Sequence, residues 1–196
     1  MVTIVDYGSG NLRSVQKAFE RLGAAATITD KPEVVAKAER LVLPGVGAFG
    51  DAMRELEARS LVAPIVDHLR ADRPFFGICM GLQLLFETGW EGGRHAGLGV
   101  LPGDVARFDL PAGMKVPHMG WNTVSWRRRE GAGTAIGDGE YFYFVHSYHA
   151  RPADDAVVAA TSDYGGPFCA AVRRGRLFAT QFHPEKSQAV GLELLK

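Results

Sequence analysis

Cysteine is scarce in this chain: Cys79 and Cys169 are the only two, too few to staple a fold with disulfides. Neither sign of charge is in excess. Lys plus Arg and Asp plus Glu stand at 22 each, so the formal net charge is zero. Binding to nucleic acid or to a membrane surface through bulk charge is therefore excluded. The one basic run, "WRRRE" from Trp126 to Glu130, reads as a solvated turn between strands. No window reaches the apolar length of a membrane span. The opening "MVTIVDYG" has no basic leader, long apolar stretch or small-residue cleavage site. Internal repeats and low-complexity linkers are missing as well. What is present, 196 residues of which 46% are apolar and 22% charged, fits a single domain over residues 1–196, cytoplasmic and with reduced thiols.

"VTIVD" reads as a buried strand, and "YGSGN" turns the chain. In "LRSVQKAFERLG", Leu12, Val15, Phe19 and Leu22 share one helical face, and Gly23 suits the C′ position. "AAATIT" is a weaker strand, and "PEVVAKAE" a short helix with Pro32 in its first turn. "RLVLPG" is a third strand running into the glycine-rich "PGVGAFG". Helical patterns in "DAMRELEAR" and "LVAPIVDHLRA" precede a fourth strand, "RPFFGI". Strands alternating with helices predict an α/β fold with a mostly parallel, doubly wound central sheet flanked by helices. The second half changes to closely spaced strand patterns, among them "GVLPGDVARF", "KVPHMGWNTVSW" and "EYFYFVHSYHA". Further on come "AVVAATSDY", "FCAAVRRG" and "RLFATQFH", with a hairpin at "RRGR" and a last helix in "EKSQAVGLELLK".

The fourth strand meets a helix-like pattern at "FFGICMGLQLLFE". Gly77 and Gly81 flank Cys79 at minus two and plus two, the cysteine counterpart of a G-x-S-x-G elbow. So tight a turn needs small residues on both sides, and it leaves the nucleophile at the tip. The N–H groups and dipole of the new helix there favour a thiolate, and the Met80 N–H can help hold an oxyanion. A cysteine among apolar residues is more often inert filler, and Cys169 in "PFCAAV" is read that way. His183 ends "LFATQF" ahead of Pro184, at the strand edge where open α/β sheets build their sites. Glu185 can orient its imidazole, completing a Cys-His-Glu relay. His68 and His95 read as surface residues. His146 and His149 in "HSYH" would point to opposite faces of a strand, and no ligand set completes a metal site.

With these blocks in view, the chain resembles the class I (triad-type) glutamine amidotransferases. "DYGSGNLRSV", "LPGVGAFGDAM", "GICMGLQLLFE", "PHMGWN", "YFYFVHSYHA" and "QFHPEKS" carry the resemblance over nearly the whole length. "PGVGAF" together with "PHMGWN" and "FVHSY" is most similar to the glutaminase subunits of imidazole glycerol phosphate synthases, enzymes of the histidine pathway. The resemblance implies a flavodoxin-like amidotransferase domain that takes L-glutamine, with Cys79 as nucleophile, His183 as base and then acid, and Glu185 as orienting carboxylate. It implies an oxyanion strand at Gly45, Val46 and Gly47, where a peptide can turn an N–H toward the developing charge. Glycines on both sides of Val46 make that rotation sterically cheap.

The same resemblance makes Gln83 and Glu91 contacts to bound glutamine, with Ser147 and Tyr148 as main-chain contacts. No metal or organic cofactor is implied. The implied partner is a (β/α)8-barrel synthase (cyclase) subunit in a heterodimer, which receives the ammonia. It docks against "YGSGN", including Asn11, and against Pro117, Met119, Trp121 and Lys186. Read from the residues alone, Trp121 is as consistent with a core as with an interface, and "YGSGN" with a phosphate cradle. The rival functions are a glutaminase for another biosynthetic amidotransferase, a stand-alone cysteine hydrolase, and a non-catalytic module.

Overall fold

The computed structural model describes residues 1–128 and 136–196. Its first half alternates as the periodicity predicts: β1 (Val2–Val5), α1 (Leu12–Arg21), β2 (Ala26–Thr29), α2 (Pro32–Ala36), β3 (Arg40–Gly45), α3 (Phe49–Ala58), α4 (Val62–Arg70) and β4 (Phe75–Cys79). β1 is buried throughout, and β3 from Leu41 onward. Their alternate side chains enter two different apolar clusters, Val5, Leu41 and Leu43 on one face, Ile4 and Val42 on the other. That two-sided burial is why these strands read as continuous apolar runs. α1 turns Val15, Ala18 and Phe19 inward. Asn11 caps it by accepting from the Ser14 N–H at 3.4 Å.

The second half comprises α5 (Met80–Gln83), β5 (Phe86–Gly89), β6 (His95–Ala96), β7 (Leu101–Arg107), β8 (His118–Trp126), β9 (Glu140–His146), β10 (Tyr148–Pro152), β11 (Val158–Asp163), β12 (Pro167–Arg174), β13 (Leu177–Thr180) and α6 (Gln188–Leu195). One sheet runs β2-β1-β3-β4-β13-β12-β11-β8-β9, and a smaller one runs β10-β7-β5-β6. β13 is the joint in the large sheet. It pairs parallel with β4 and antiparallel with β12 across the predicted hairpin at Gly175. On the β4 side the pairings are parallel, and beyond β13 they are antiparallel.

Several expectations are corrected. The helix after Cys79 lasts one turn, because the chain re-enters a strand at Phe86 whose partner Leu101 draws it into the small sheet. "EYFYFVHSYHA" is two strands rather than one, since the chain changes sheet at Ser147. His146 and His149 consequently do not point apart. Both pack on the Phe108 ring, with centroids 5.1 and 4.6 Å away. The strand before His183 stops at Thr180. His68 is fully buried rather than exposed, its Nε2 2.9 Å from the Pro74 carbonyl. Of "WRRRE", Trp126 is buried at the end of β8 and Arg127 pairs with Asp155 at 3.3 Å; Arg129 and Glu130 lie outside the described residues.

The segment leading to His183 is fixed by aromatic packing. Phe182 is fully buried, 4.2 Å from the Phe142 ring and 5.5 Å from Phe144. Truncating a core phenylalanine costs about 3–5 kcal/mol. Phe182→Ala is expected to lower unfolding free energy by that amount in urea titration, with an unchanged m-value.

Candidate active site

Cys79 closes β4 in a conformation that side chains rarely adopt, φ +53° and ψ −103°. Such a backbone costs about 1–3 kcal/mol and persists when its surroundings over-determine it. Here β4 is pinned on both sides, by β3 with Gly45 opposite Cys79 and by β13 with Thr180 opposite Ile78. The flanking glycines are obligatory. A Cβ on Gly77 would lie 2.7 Å from the Gly81 carbonyl oxygen, and one on Gly81 would collide with the Leu43 carbonyl.

His183 arrives from β13, in extended backbone before Pro184. Its N–H donates to the Tyr143 carbonyl at 2.9 Å, and the Ser187 hydroxyl donates to its carbonyl at 2.6 Å. The imidazole Nδ1 lies 2.8 Å from Glu185 Oε1, and both side chains are buried. Nε2 has no hydrogen-bond partner among the described residues. Burial alone would pull the His183 pKa down, but the neighbouring Cys79 sulfur and the Glu185 carboxylate outweigh it and raise it to about 10.

One cavity of about 320 Å³ opens over Cys79. Val46, Gly47, Met80, Gln83, Glu91, Ser147 and Tyr148 line it, with Pro117, Val145 and His146. Gly45 lies just beneath, where a Cβ would collide with the Tyr7 hydroxyl; this contact, as much as rotational freedom, demands glycine there. The Ser9 hydroxyl donates to the Val46 carbonyl and ties down the next peptide. Gln83 does not turn its amide nitrogen to the cavity. That nitrogen donates to the Tyr148 carbonyl at 2.9 Å and to Gln181 Oε1 at 3.0 Å. Glu91 Oε2 accepts from the Phe49 N–H at 2.8 Å and so caps α3 from a distance.

Asn11, Met119, Trp121 and Lys186 line no part of this cavity and are solvent-exposed. Trp121 is 46% and Met119 62% exposed, so Trp121 is no core residue. Pro117 differs from these four in lining the cavity itself. Two neighbours of Cys79 escaped the sequence reading. Gln181 Nε2 lies 3.6 Å from the Cys79 sulfur, and Tyr7 has a buried hydroxyl without a hydrogen-bond partner among the described residues. Gln181 sits inside the "QFHPEKS" block, two residues from His183; Tyr7 carries no such signal. Cys169 is buried, and desolvation drives its pKa up to about 12. Among the described residues no cluster of His, Cys, Asp or Glu could hold a metal ion.

Residues 3–195 match the family model of glutamine amidotransferase class-I, and the chain belongs to that family. At the level of individual proteins, it is 63% identical over 196 residues to "Imidazole glycerol phosphate synthase subunit HisH" of Rhodopirellula baltica, covering 100% of this chain and 95% of that one. It is 56% identical over 201 residues to the protein of the same name from Syntrophotalea carbinolica, covering 100% and 98%. A solved glutamine amidotransferase shares the fold at TM-score 0.75 and 23% identity, covering 98% of this chain and 95% of that one. So does a chain of PurLQS from Thermotoga maritima, at TM-score 0.75, 21% identity and 99% and 94% coverage.

Two outcomes follow from these environments. Brief iodoacetamide treatment of the native protein at pH 8 is expected to alkylate Cys79 and spare Cys169, as read by peptide mass spectrometry. Burial also holds His118 and His146 neutral, with pKa values lowered from 6.5 to about 4 and about 3. The unfolded chain thus binds protons below pH 6.5 that the folded chain refuses. The stability these two confer is complete above about pH 6.5 and lost as pH falls through 4 toward 3. His68 and His149 are shifted the same way by burial. Urea midpoints are expected to fall with pH across that window.

Proposed function

We propose that this chain is the glutaminase subunit of an imidazole glycerol phosphate synthase. The observation that carries the reading is the buried Cys79–His183–Glu185 constellation beside a cavity lined by Gln83, Glu91, Ser147 and Tyr148. Relatives bearing that synthase-subunit name match the whole chain at 63% and 56% identity.

The Cys79 thiolate attacks the side-chain amide carbon of glutamine. N–H groups of Met80 and of the Gly45–Gly47 strand hold the developing oxyanion, a donor type whose single loss costs about 3–4 kcal/mol. His183, already protonated, gives its proton to the departing amine, and ammonia leaves a thioester on Cys79. Neutral His183 then takes a proton from water, hydroxide attacks the thioester, and glutamate departs as the thiolate returns. Glu185 keeps the imidazole oriented and supports its positive charge. The Gln83 carbonyl oxygen and the second oxygen of Glu91 receive the α-ammonium group, and the Ser147–Tyr148 main chain receives the carboxylate end. Every step runs on the chain's own residues, without metal or organic cofactor.

The ammonia passes to a (β/α)8-barrel synthase subunit bound as a heterodimer. Asn11, Met119, Trp121 and Lys186 form the docking face and Pro117 its border with the pocket. Trp121 packs edge-on against Tyr143 at 6.1 Å, and Lys186 lies 5.8 Å from the same ring, so the exposed anchors rest on the strand that also holds His183. The whole chain acts as one domain.

The test is glutamate release from glutamine, by the chain alone and with the barrel subunit and its nucleotide substrate. Weak activity alone and strong stimulation in the complex are expected. Cys79→Ala should abolish turnover, and Glu185→Gln should lower kcat about 10²–10⁴-fold. Full activity of the isolated chain, or turnover by Cys79→Ala, would overturn the reading.

A further inference from the structure

A directed chain of hydrogen bonds begins on the docking strand and ends in the glutamine pocket. His118 on β8 and His146 on β9 are cross-strand partners, both buried. His118 Nδ1 lies 3.0 Å from His146 Nε2, and His146 Nδ1 lies 2.9 Å from the Tyr148 carbonyl. His118 Nε2 lies 3.2 Å from Asn122 Nδ2.

These contacts settle where each proton sits. Asn122 is held from both ends: Nδ2 donates to the Asp163 carbonyl at 2.8 Å, and Oδ1 accepts from the Thr123 N–H at 2.8 Å. Its amide cannot flip without losing both, so Nδ2 faces His118 as a donor. His118 Nε2 is then the acceptor and its proton is on Nδ1. That proton is donated to His146 Nε2, which leaves the His146 proton on Nδ1, aimed at Tyr148. Both rings are neutral, as their burial favours. The Tyr148 carbonyl also receives Gln83, whose amide reaches Gln181 and, through it, the Cys79 sulfur.

We infer that His118 and His146 are positioning residues that fix the Ser147–Tyr148 main chain, and with it the seat for the substrate's backbone. The chain leaves the large sheet and enters the small one at Ser147; from the small sheet, the Phe108 N–H donates to the Ser147 carbonyl at 3.1 Å and Tyr148 pairs with Arg107 on β7. The two imidazoles add a tie from the large sheet, through the Tyr148 carbonyl, from β8, the strand that also carries Met119 and Trp121. Neither ring touches the sulfur or the scissile amide in the proposed reaction. Their loss is therefore expected to weaken glutamine binding and to leave the nucleophile intact.

The inference rests on the glutaminase reading for its substrate. Its test uses the full chain with the barrel subunit. In His118→Leu and His146→Leu, KM for glutamine is expected to rise about tenfold, the scale of one lost positioning hydrogen bond, with kcat within threefold of wild type. Iodoacetamide should label Cys79 at an unchanged rate. His118→Asn, whose amide can stand in for the Nδ1–H donor, should recover most of the lost affinity. An unchanged KM in both leucine variants would overturn the inference. So would a fall in kcat and labelling as large as the rise in KM, or a failure of asparagine to rescue.

Should the leucine variants not fold, imidazole ¹⁵N spectra of wild type decide. Both rings must show the Nδ1–H tautomer, and an Nε2–H tautomer at either position refutes the hydrogen-bond chain. A wild-type complex without glutamine turnover would instead refute the glutaminase reading, and the two failures are thereby told apart.

Discussion

The parallel pairing of β4 between β3 and β13 is the constraint on which the candidate site depends. It holds Cys79 in a strained backbone with Gly45 directly opposite. On its other edge it fixes the strand that delivers Gln181 and His183. Gln181 and Cys79 are 102 residues apart in sequence, and no local propensity could bring them within contact. The ladder hydrogen bonds on both edges, together with the obligatory smallness of Gly77 and Gly81, offset the strain at the elbow.

Electrostatics then completes what the ladder positions. A protonated imidazole buried in protein is costly unless it is paired. His183 is flanked by a sulfur on one side and Glu185 on the other, and the two outweigh desolvation. This is why the carboxylate belongs to the site rather than to the surface: taking away one member of a buried charge pair generally costs about 3–5 kcal/mol. The other histidines near the cavity take the opposite course. His118 and His146 are kept neutral by burial, and their neighbours offer each ring one donor and one acceptor and no full negative charge to offset it. One region thus contains charged and neutral imidazoles, separated by what each ring nitrogen meets.

The turn at Cys79 was legible from the sequence because its requirement is local. Two glycines at fixed spacing report a turn that tolerates no side chains, and the collisions at Gly77 and Gly81 give the reason. Glu185 was legible because it lies two residues from His183 and needs only the turn at Pro184 to reach it. For Gln83 the sequence reading supplied a contact to bound glutamine and no hydrogen bond. Its amide nitrogen is used by the protein, a detail set by Tyr148 and Gln181 from other elements. Tyr7 and the His118–His146 pair were not legible, since their meaning lies entirely in what folds against them. His68 was misread for the same reason: its helix carries it to a carbonyl that the sequence does not announce.

By itself, then, the amino-acid sequence determined the strand–helix alternation, the elbow at Cys79, and the His-Pro-Glu turn, because each follows from periodicity or from contacts within a few residues. Tertiary structure alone decided the break of the long aromatic strand at Ser147, the one-turn length of the helix after Cys79, and the hydrogen-bond chain from Asn122 to the sulfur. All three are set by which distant strand a segment pairs with. Pairing partners are chosen by the free energy of the whole sheet, not by the residues of the segment that is paired.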